Sequence, residues 1–209
     1  SVHRKEEAFM LRLCTTLFGP VTVYRKPGFE ASDLIICSGA LGKVMQHVLG
    51  FGSGARHKRV PAFVFNLDQT RLAAFLRGYI SGDGSLNTST PAPQLEVVSE
   101  NPKLIDDIAH LLLRFGIVGK IYSRPNRPQK RYCFANAKDL DAFREIGFFS
   151  SEKNMAIYAY LETVGTARRD RVPLTASVQA LCAEHPELSA WKGQRSIGKE
   201  ILSRHSPAL

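Results

Sequence analysis

The stretch Phe75-Leu76-Arg77-Gly78-Tyr79-Ile80-Ser81-Gly82-Asp83-Gly84 decides how this chain is read. Gly78 and Gly82 are four positions apart, so on a helix they share one face. With no side chain at either position, a second helix can approach until the backbones nearly touch. Asp83-Gly84 predicts the end of that helix, glycine accepting a left-handed C-terminal conformation and the Asp83 carboxylate pointing out of the helix end. A carboxylate there faces the negative end of the helix dipole, which is unfavourable unless something positive, such as a hard metal ion, stands beside it. The pattern reads as a site built at a helix interface.

These residues resemble the LAGLIDADG, or dodecapeptide, motif of homing endonucleases, with Leu76 to Gly84 on its nine letters and Asp83 on the second, metal-binding Asp. Ser81 stands where the consensus has its first Asp, a helix-end position outside the metal site.

The chain also repeats itself. Leu17-Phe18-Gly19 overlays Arg114-Phe115-Gly116 at a spacing of 97 residues, and Leu49-Gly50-Phe51 overlays Ile146-Gly147-Phe148 at the same spacing. Between them, Tyr24-Arg25-Lys26-Pro27 overlays Tyr122-Ser123-Arg124-Pro125 with a one-residue slip. Lys58 follows the first Gly-Phe and Lys153 the second. A period of this length signals duplicated domains rather than a solenoid.

Periodicity agrees with the duplication. Ser99 or Asn101 can cap a helix with Pro102 in its first turn, its apolar stripe running from Leu104 to Phe115 before Gly116 stops it. The first-half counterpart starts near Arg4, carries Phe9, Leu13, Leu17 and Phe18, and ends at Gly19-Pro20. Val21 to Arg25 with Leu34 to Cys37, and Val118 to Ser123 with Arg131 to Phe134, read as paired strands. Ser85 to Thr88 and Gln94 to Val98 supply a further hairpin after the motif helix.

The fold class is thus α+β, and the resemblance implies the homing-endonuclease architecture of αββαββα units related by pseudo-two-fold duplication. Residues 67–164 are expected to form a complete second unit, 1–66 a truncated first unit without its motif helix and first hairpin, and 165–209 a basic linker and small helical extension. Displaced by the repeat spacing, the first motif would lie upstream of Ser1, so the chain is expected to be a piece of a longer protein. Lys58-Arg59-Val60-Pro61 resembles the Lys-x-x-Pro block between the two motifs of intein endonucleases, and Gly147-Phe148 with Lys153 resembles the block after the second. An intein is the parent this implies, although Ser1 is followed by no splicing-domain strand series and Pro207-Ala208-Leu209 is not a His-Asn ending.

At 209 residues, 44% hydrophobic and 22% charged, the chain can bury one substantial or two small cores. A net charge of +9 sets a positive field suited to polyanions. Arg25 and Lys26 fall in the first strand pair; Lys120, Tyr122, Arg124, Arg127, Lys130 and Arg131 fall in or beside the second, with no acid among them. Cys14, Cys37, Cys133 and Cys182 form no C-x-x-C pair, and most stand among apolar residues, so buried free thiols are expected. With no signal peptide and no apolar run of membrane-spanning length, this points to a reducing cytoplasm and no membrane. The six histidines are scattered, which argues against a zinc site. After Arg168-Arg169-Asp170-Arg171-Val172-Pro173, two short helices are expected near Ala176 to Glu184 and Ile197 to His205, read either as a small appendage with Trp191 as its packing anchor or, with Gly193 between them, as a helix-turn-helix.

The activity the resemblance implies is site-specific, double-strand cleavage of DNA. Asp83, with Gly82, is implied to hold Mg²⁺ or Mn²⁺, while Lys58 and Lys153 act as phosphate or water-polarising groups, one per half. Gly78 and Gly82 would receive the missing upstream motif helix or a second copy of the chain. Strand side chains would lie in the major groove of double-stranded DNA, Asn87, Thr88, Gln94 and Glu96 reading base edges and Arg25, Lys26, Lys120, Arg124, Lys130 and Arg131 holding phosphates. The alternative is a non-cleaving nucleic-acid-binding protein on the same scaffold, a transcription regulator or an intron maturase; a carboxylate retained at Asp83 speaks against the regulator.

Overall fold

Asp68 caps the central helix, α3 (Gln69–Asp83), its side chain accepting a hydrogen bond from the Arg71 amide at 2.9 Å. Leu72, Leu76 and Ile80 recur every fourth residue and are fully buried, while Gly78 and Gly82 lie exposed on the opposite face. The structure is a computed structural model describing residues 2–52, 54, 56–123, 129–164, 171–173, 180 and 196–198.

Around α3 the chain runs β1 (Val2–His3), α1 (Arg4–Phe18), β2 (Thr22–Arg25), β3 (Ala31–Ile35) and α2 (Gly39–Lys43), the last continued by a π-helical turn over Val44–Val48. After α3 come β4 (Gly84–Asn87), β5 (Gln94–Ser99), α4 (Pro102–Leu113), β6 (Lys120–Ser123), β7 (Lys130–Phe134), α5 (Ala137–Phe143) and α6 (Ser151–Val164). From α3 to α5 the order is αββαββα. The earlier part supplies an αββα run. At corresponding points of the two runs the backbone enters the left-handed region: Gly19 (φ 82°) matches Gly116 (φ 72°), and Gly50 (φ 76°) matches Gly147 (φ 65°).

These strands form two antiparallel sheets, ordered β1-β3-β2 and β4-β5-β7-β6. In the second, Leu95 and Val97 alternate with Gln94, Glu96 and Val98, and Tyr132 and Phe134 with Arg131 and Cys133. The buried set meets α4, whose Leu104, Ile105, Ile108, Leu111 and Leu112 are also buried. One sheet face is therefore core and the other is left open.

The buried apolar side chains all fall between Val60 and Leu161 among the described residues. Residues 2–52 contribute none; α1 leaves Phe9, Leu13 and Leu17 at 44%, 37% and 62% exposure. Contacts divide the chain into two compact units, Ser1–Gly165 and Thr166–Leu209. In the second, β8 (Arg171–Pro173) pairs antiparallel with β9 (Ser196–Gly198), Val172 opposite Ile197. Ile197, expected to open a helix, is thus in a strand: β-branched and beside a glycine, it suits an extended ladder better than a helix start. The rest of that expected helix, the one near Ala176 except Ala180, and Trp191 lie outside the described residues.

The thiols also differ from expectation. Cys37 is exposed and Cys14 and Cys133 are half-buried, all of them free. Cys133 lies on the open side of β7 opposite Glu96, and an apolar sequence neighbourhood does not reveal which side a residue takes. Cys182 is outside the described residues.

Candidate functional site

Asp83 is the last residue of α3, with a side chain 44% exposed, and no basic residue stands in the helix's last turn. The compensating charge comes from elsewhere. Lys58 Nζ lies 3.5 Å from Asp83 Oδ2. Gly84 ends the helix in an extended, not left-handed, conformation (φ −92°, ψ 152°) and starts β4 directly. Glycine is required there for space: a Cβ would stand 2.5 Å from the Ile80 carbonyl oxygen. Helix and strand are thus joined without a loop, which fixes the carboxylate at their junction.

Neither Gly78 nor Gly82 has any heavy atom within 4 Å of where a Cβ would sit. Their open face borders a cavity of about 590 Å³, whose other walls include His3, Lys5, Met10, Phe149, Glu152 and Lys153. Lys153 reaches this cavity with its ammonium 5.1 Å from the centre of the Phe148 ring; Thr88 lines it too. Ser81 accepts a hydrogen bond from the Phe149 amide at 3.0 Å, and Arg77 Nε donates to the Ile146 carbonyl at 2.5 Å, so α3 holds the segment leading to Lys153. Tyr79, one turn before Asp83, has a buried hydroxyl without a hydrogen-bond partner. Burial and then the Asp83 charge push that phenol well above its ordinary range.

As a metal donor set this is sparse. Among the described residues no group of three or more His, Cys, Asp or Glu comes together. Asp83 offers one hard, exposed carboxylate, which fits a Mg²⁺-like ion that takes one or two protein carboxylates and fills its remaining positions with water and phosphate oxygens. Gly82 could add only its backbone carbonyl.

The strand register sorts the charged candidates. Ser85 faces Glu96, Glu96 faces Cys133 and Cys133 faces Lys120, so these share one side; Asn87, Gln94, Arg131 and Tyr122 follow by alternation. That side is open. On it Glu96 accepts from Arg131 Nη1 with both oxygens at 2.8 Å and from the Tyr122 hydroxyl at 2.6 Å, and Gln94 Nε2 donates to Cys133 Sγ at 3.2 Å. The bond to the carboxylate and partial burial push the Tyr122 phenol up to about 12. Asn87 Oδ1 accepts from the Ser89 amide and hydroxyl in the turn.

Lys130 has the opposite parity and pairs with Asp106 of α4 at 2.5 Å. Arg25 likewise turns toward α1, where Glu7 binds it at 2.5 Å and also accepts from the buried Ser32 hydroxyl. Arg25 first, then Ser32, holds the Glu7 carboxyl below its usual range. Lys26 pairs with Asp33 at 3.1 Å. The basic cluster without an acid in sequence thus meets acids brought by other elements. Arg124 and Arg127 lie outside the described residues.

Sequence reasoning missed Asp107 and the second role of Asn101. Asn101 was legible as a helix cap, but its free amide nitrogen donates to the Lys58 carbonyl at 2.8 Å. Only the unequal chemistry of its two terminal atoms hinted at that.

Residues 70–147 match the family model of the LAGLIDADG-like domain. A probable translation initiation factor IF-2 from Thermococcus kodakarensis is 38% identical over 103 residues, 49% of this chain and 8% of that protein. The DNA-directed RNA polymerase subunit Rpo1C of Methanocaldococcus jannaschii is 34% identical over 185 residues, 84% of this chain and 21% of that protein. The chain spans under a quarter of the length of either relative. A solved structure of the meganuclease I-SmaMI bound to uncleaveable DNA aligns with a TM-score of 0.49 at 14% identity, covering 90% of this chain and 83% of that one. Among the described residues no helix is long and apolar enough to cross a membrane. With the motif helix, both hairpins that follow and the intervening α4 all falling in the matched span, residues 70–147 carry a LAGLIDADG-like domain.

Proposed function

We propose that this chain is the endonuclease part of an intein, cutting both strands of a long DNA site with a divalent metal, Mg²⁺ or Mn²⁺. The observation that carries the reading is Asp83: a solvent-accessible carboxylate fixed at a helix end, with Lys58 at 3.5 Å and an open glycine face alongside. That face would take the motif helix of a first LAGLIDADG unit or of a second copy of the chain. The intein origin is supported by the relatives: an initiation factor and an RNA polymerase subunit do different work, yet both share this stretch. A segment shared by such proteins reads as an insertion.

In this reading the open sheet face lies along the major groove. Asn87, Gln94, Glu96, Lys120, Tyr122 and Arg131 present their polar atoms there, and Arg131, held by Glu96, is oriented toward a base edge or a phosphate. Lys130 and Arg25 support the fold from the helix side. Asp83 would hold a metal ion that neutralises phosphate charge and activates water. Lys58 keeps a positive charge beside the carboxylate, and Lys153 brings one to the cavity along the glycine face. Residues 1–66, 67–164 and 165–209 are the proposed domain divisions.

The test joins a first LAGLIDADG unit upstream of the chain and selects bound and cleaved duplexes from a randomised library in Mg²⁺. Asp83→Asn should bind the selected site as the parent does and cut it orders of magnitude more slowly. Equal cutting would make Asp83 a helix-ending residue and favour a non-cleaving binder.

A further inference from the structure

We infer that Asn101 and Asp107 are positioning residues that hold Lys58 against Asp83; the catalytic consequence of this rests on the endonuclease reading, the tether does not. Lys58 belongs to a stretch without helix or strand, so its local backbone does not fix where the ammonium goes. The N-terminal end of α4 does. Asn101 Nδ2 donates to the Lys58 carbonyl at 2.8 Å. Asp107 accepts from Arg59 Nε at 2.7 Å, from Arg59 Nη2 at 3.0 Å and from the Val60 amide at 3.4 Å. Val60 and Pro61 are then buried.

Three consecutive residues, 58 to 60, are therefore pinned to one helix: by a carbonyl, a guanidinium and an amide. The guanidinium contact is two-pronged and the Asp107 side chain only 13% exposed, which makes it directional. What remains free in this stretch is the Lys58 side chain, and it reaches Asp83.

Asn101 divides its terminal atoms between two tasks. Its Oδ1 caps α4, accepting from the Lys103 amide at 3.1 Å, while its Nδ2 tethers Lys58. The tasks are separable by chemistry. Asp is as good an N-cap as Asn, so Asn101→Asp keeps the helix but sets a carboxylate oxygen against the Lys58 carbonyl where a donor stood.

A water-soluble carbodiimide provides a readout on the full chain that needs no DNA. It activates a carboxylate and joins it to a touching amine, the amide forming as the reagent takes up the elements of water and leaves as a urea. Peptide mapping by mass spectrometry should find a Lys58–Asp83 amide in the parent, reduced several-fold in Asn101→Asp at an unchanged melting temperature, and reduced likewise in Asp107→Asn. Should Asp107→Asn not fold, Asn101→Asp decides. An undiminished yield in Asn101→Asp, or no such amide in the parent, overturns the tether. On a selected duplex, Asn101→Asp should lower kcat as Lys58→Met does, leave KM unchanged, and add nothing to Lys58→Met. A lower cross-link yield with parental kcat supports the tether and overturns the role given to Lys58 in cleavage.

Discussion

The α-carbon of Gly84 passes so close to the Ile80 carbonyl that a methyl group on it would sit 2.5 Å from that oxygen and 2.9 Å from Ile80 Cγ2. Ile80 is fully buried and cannot retreat. Gly84→Ala must therefore move the junction that carries Asp83, and overpacking of this kind costs about 1–3 kcal/mol. Urea unfolding should show a free energy of unfolding lowered by that much, read as a lower midpoint at an unchanged slope.

Gly78 and Gly82 should behave in the opposite way. With no neighbour near either, Gly78→Ala and Gly82→Ala in this chain should each stabilise α3 by about 0.5–1 kcal/mol through helix propensity alone. In a protein with a partner helix restored, the same changes should loosen that contact. Denaturation of the two forms side by side measures the reversal.

Replacing Glu96 by Gln takes the negative charge off the acceptor that lifts the Tyr122 phenol. Its titration, followed by ultraviolet absorbance, should fall from about 12 toward the ordinary value of about 10. Because the folded phenol titrates above the unfolded one, its stabilisation is complete below about pH 10 and is lost as pH rises toward 12.

For Glu7 the sign is reversed. Its carboxyl titrates below the ordinary 4.5 in the folded chain, so the Arg25–Glu7–Ser32 contact contributes above that value and is lost as pH falls through the lowered one. Acid unfolding of Glu7→Gln should show a smaller pH dependence below about pH 4.5 than the parent.

DNA binding should weaken with salt, each phosphate contact adding about 0.9 to the slope. Lys120 is exposed on the open sheet face, whereas Lys130 is turned to Asp106. Lys120→Ala should reduce the slope by about one contact's worth and Lys130→Ala should leave it unchanged, as read by fluorescence anisotropy at several salt concentrations.

Much of the fold was legible because its signals are local. The Asn101-Pro102 start of α4, the Gly19 and Gly116 helix stops, and the strand pairs within a few residues of their ends all follow from neighbouring residue types. The repeat reinforced them, since each half predicts the other. The motif helix and the position of Asp83 at its end were legible for the same reason. What the sequence hid is long-range. Lys130 and Arg131 are adjacent in sequence and take opposite sides of a strand, one to Asp106 and one to Glu96. Gly84 called for glycine, but through contact with Ile80 four residues back rather than through a left-handed turn. The clamp on Lys58 comes from residues more than 40 positions away.

The confinement of buried apolar side chains to the stretch from Val60 to Leu161 has a consequence for how the unit comes apart. The αββα run before it is held by hydrogen bonds and surface contacts, among them the Phe9–Phe149 ring contact and the Lys5–Glu152 ion pair. Such a segment opens at a free energy well below that of global unfolding. Residues 2–52 are then the first foldon to open, with amide exchange faster than in α3 and α4. Whatever helix settles on the glycine face beside α1 would also close that segment down, so occupancy of the face and protection of the N-terminal run would rise together.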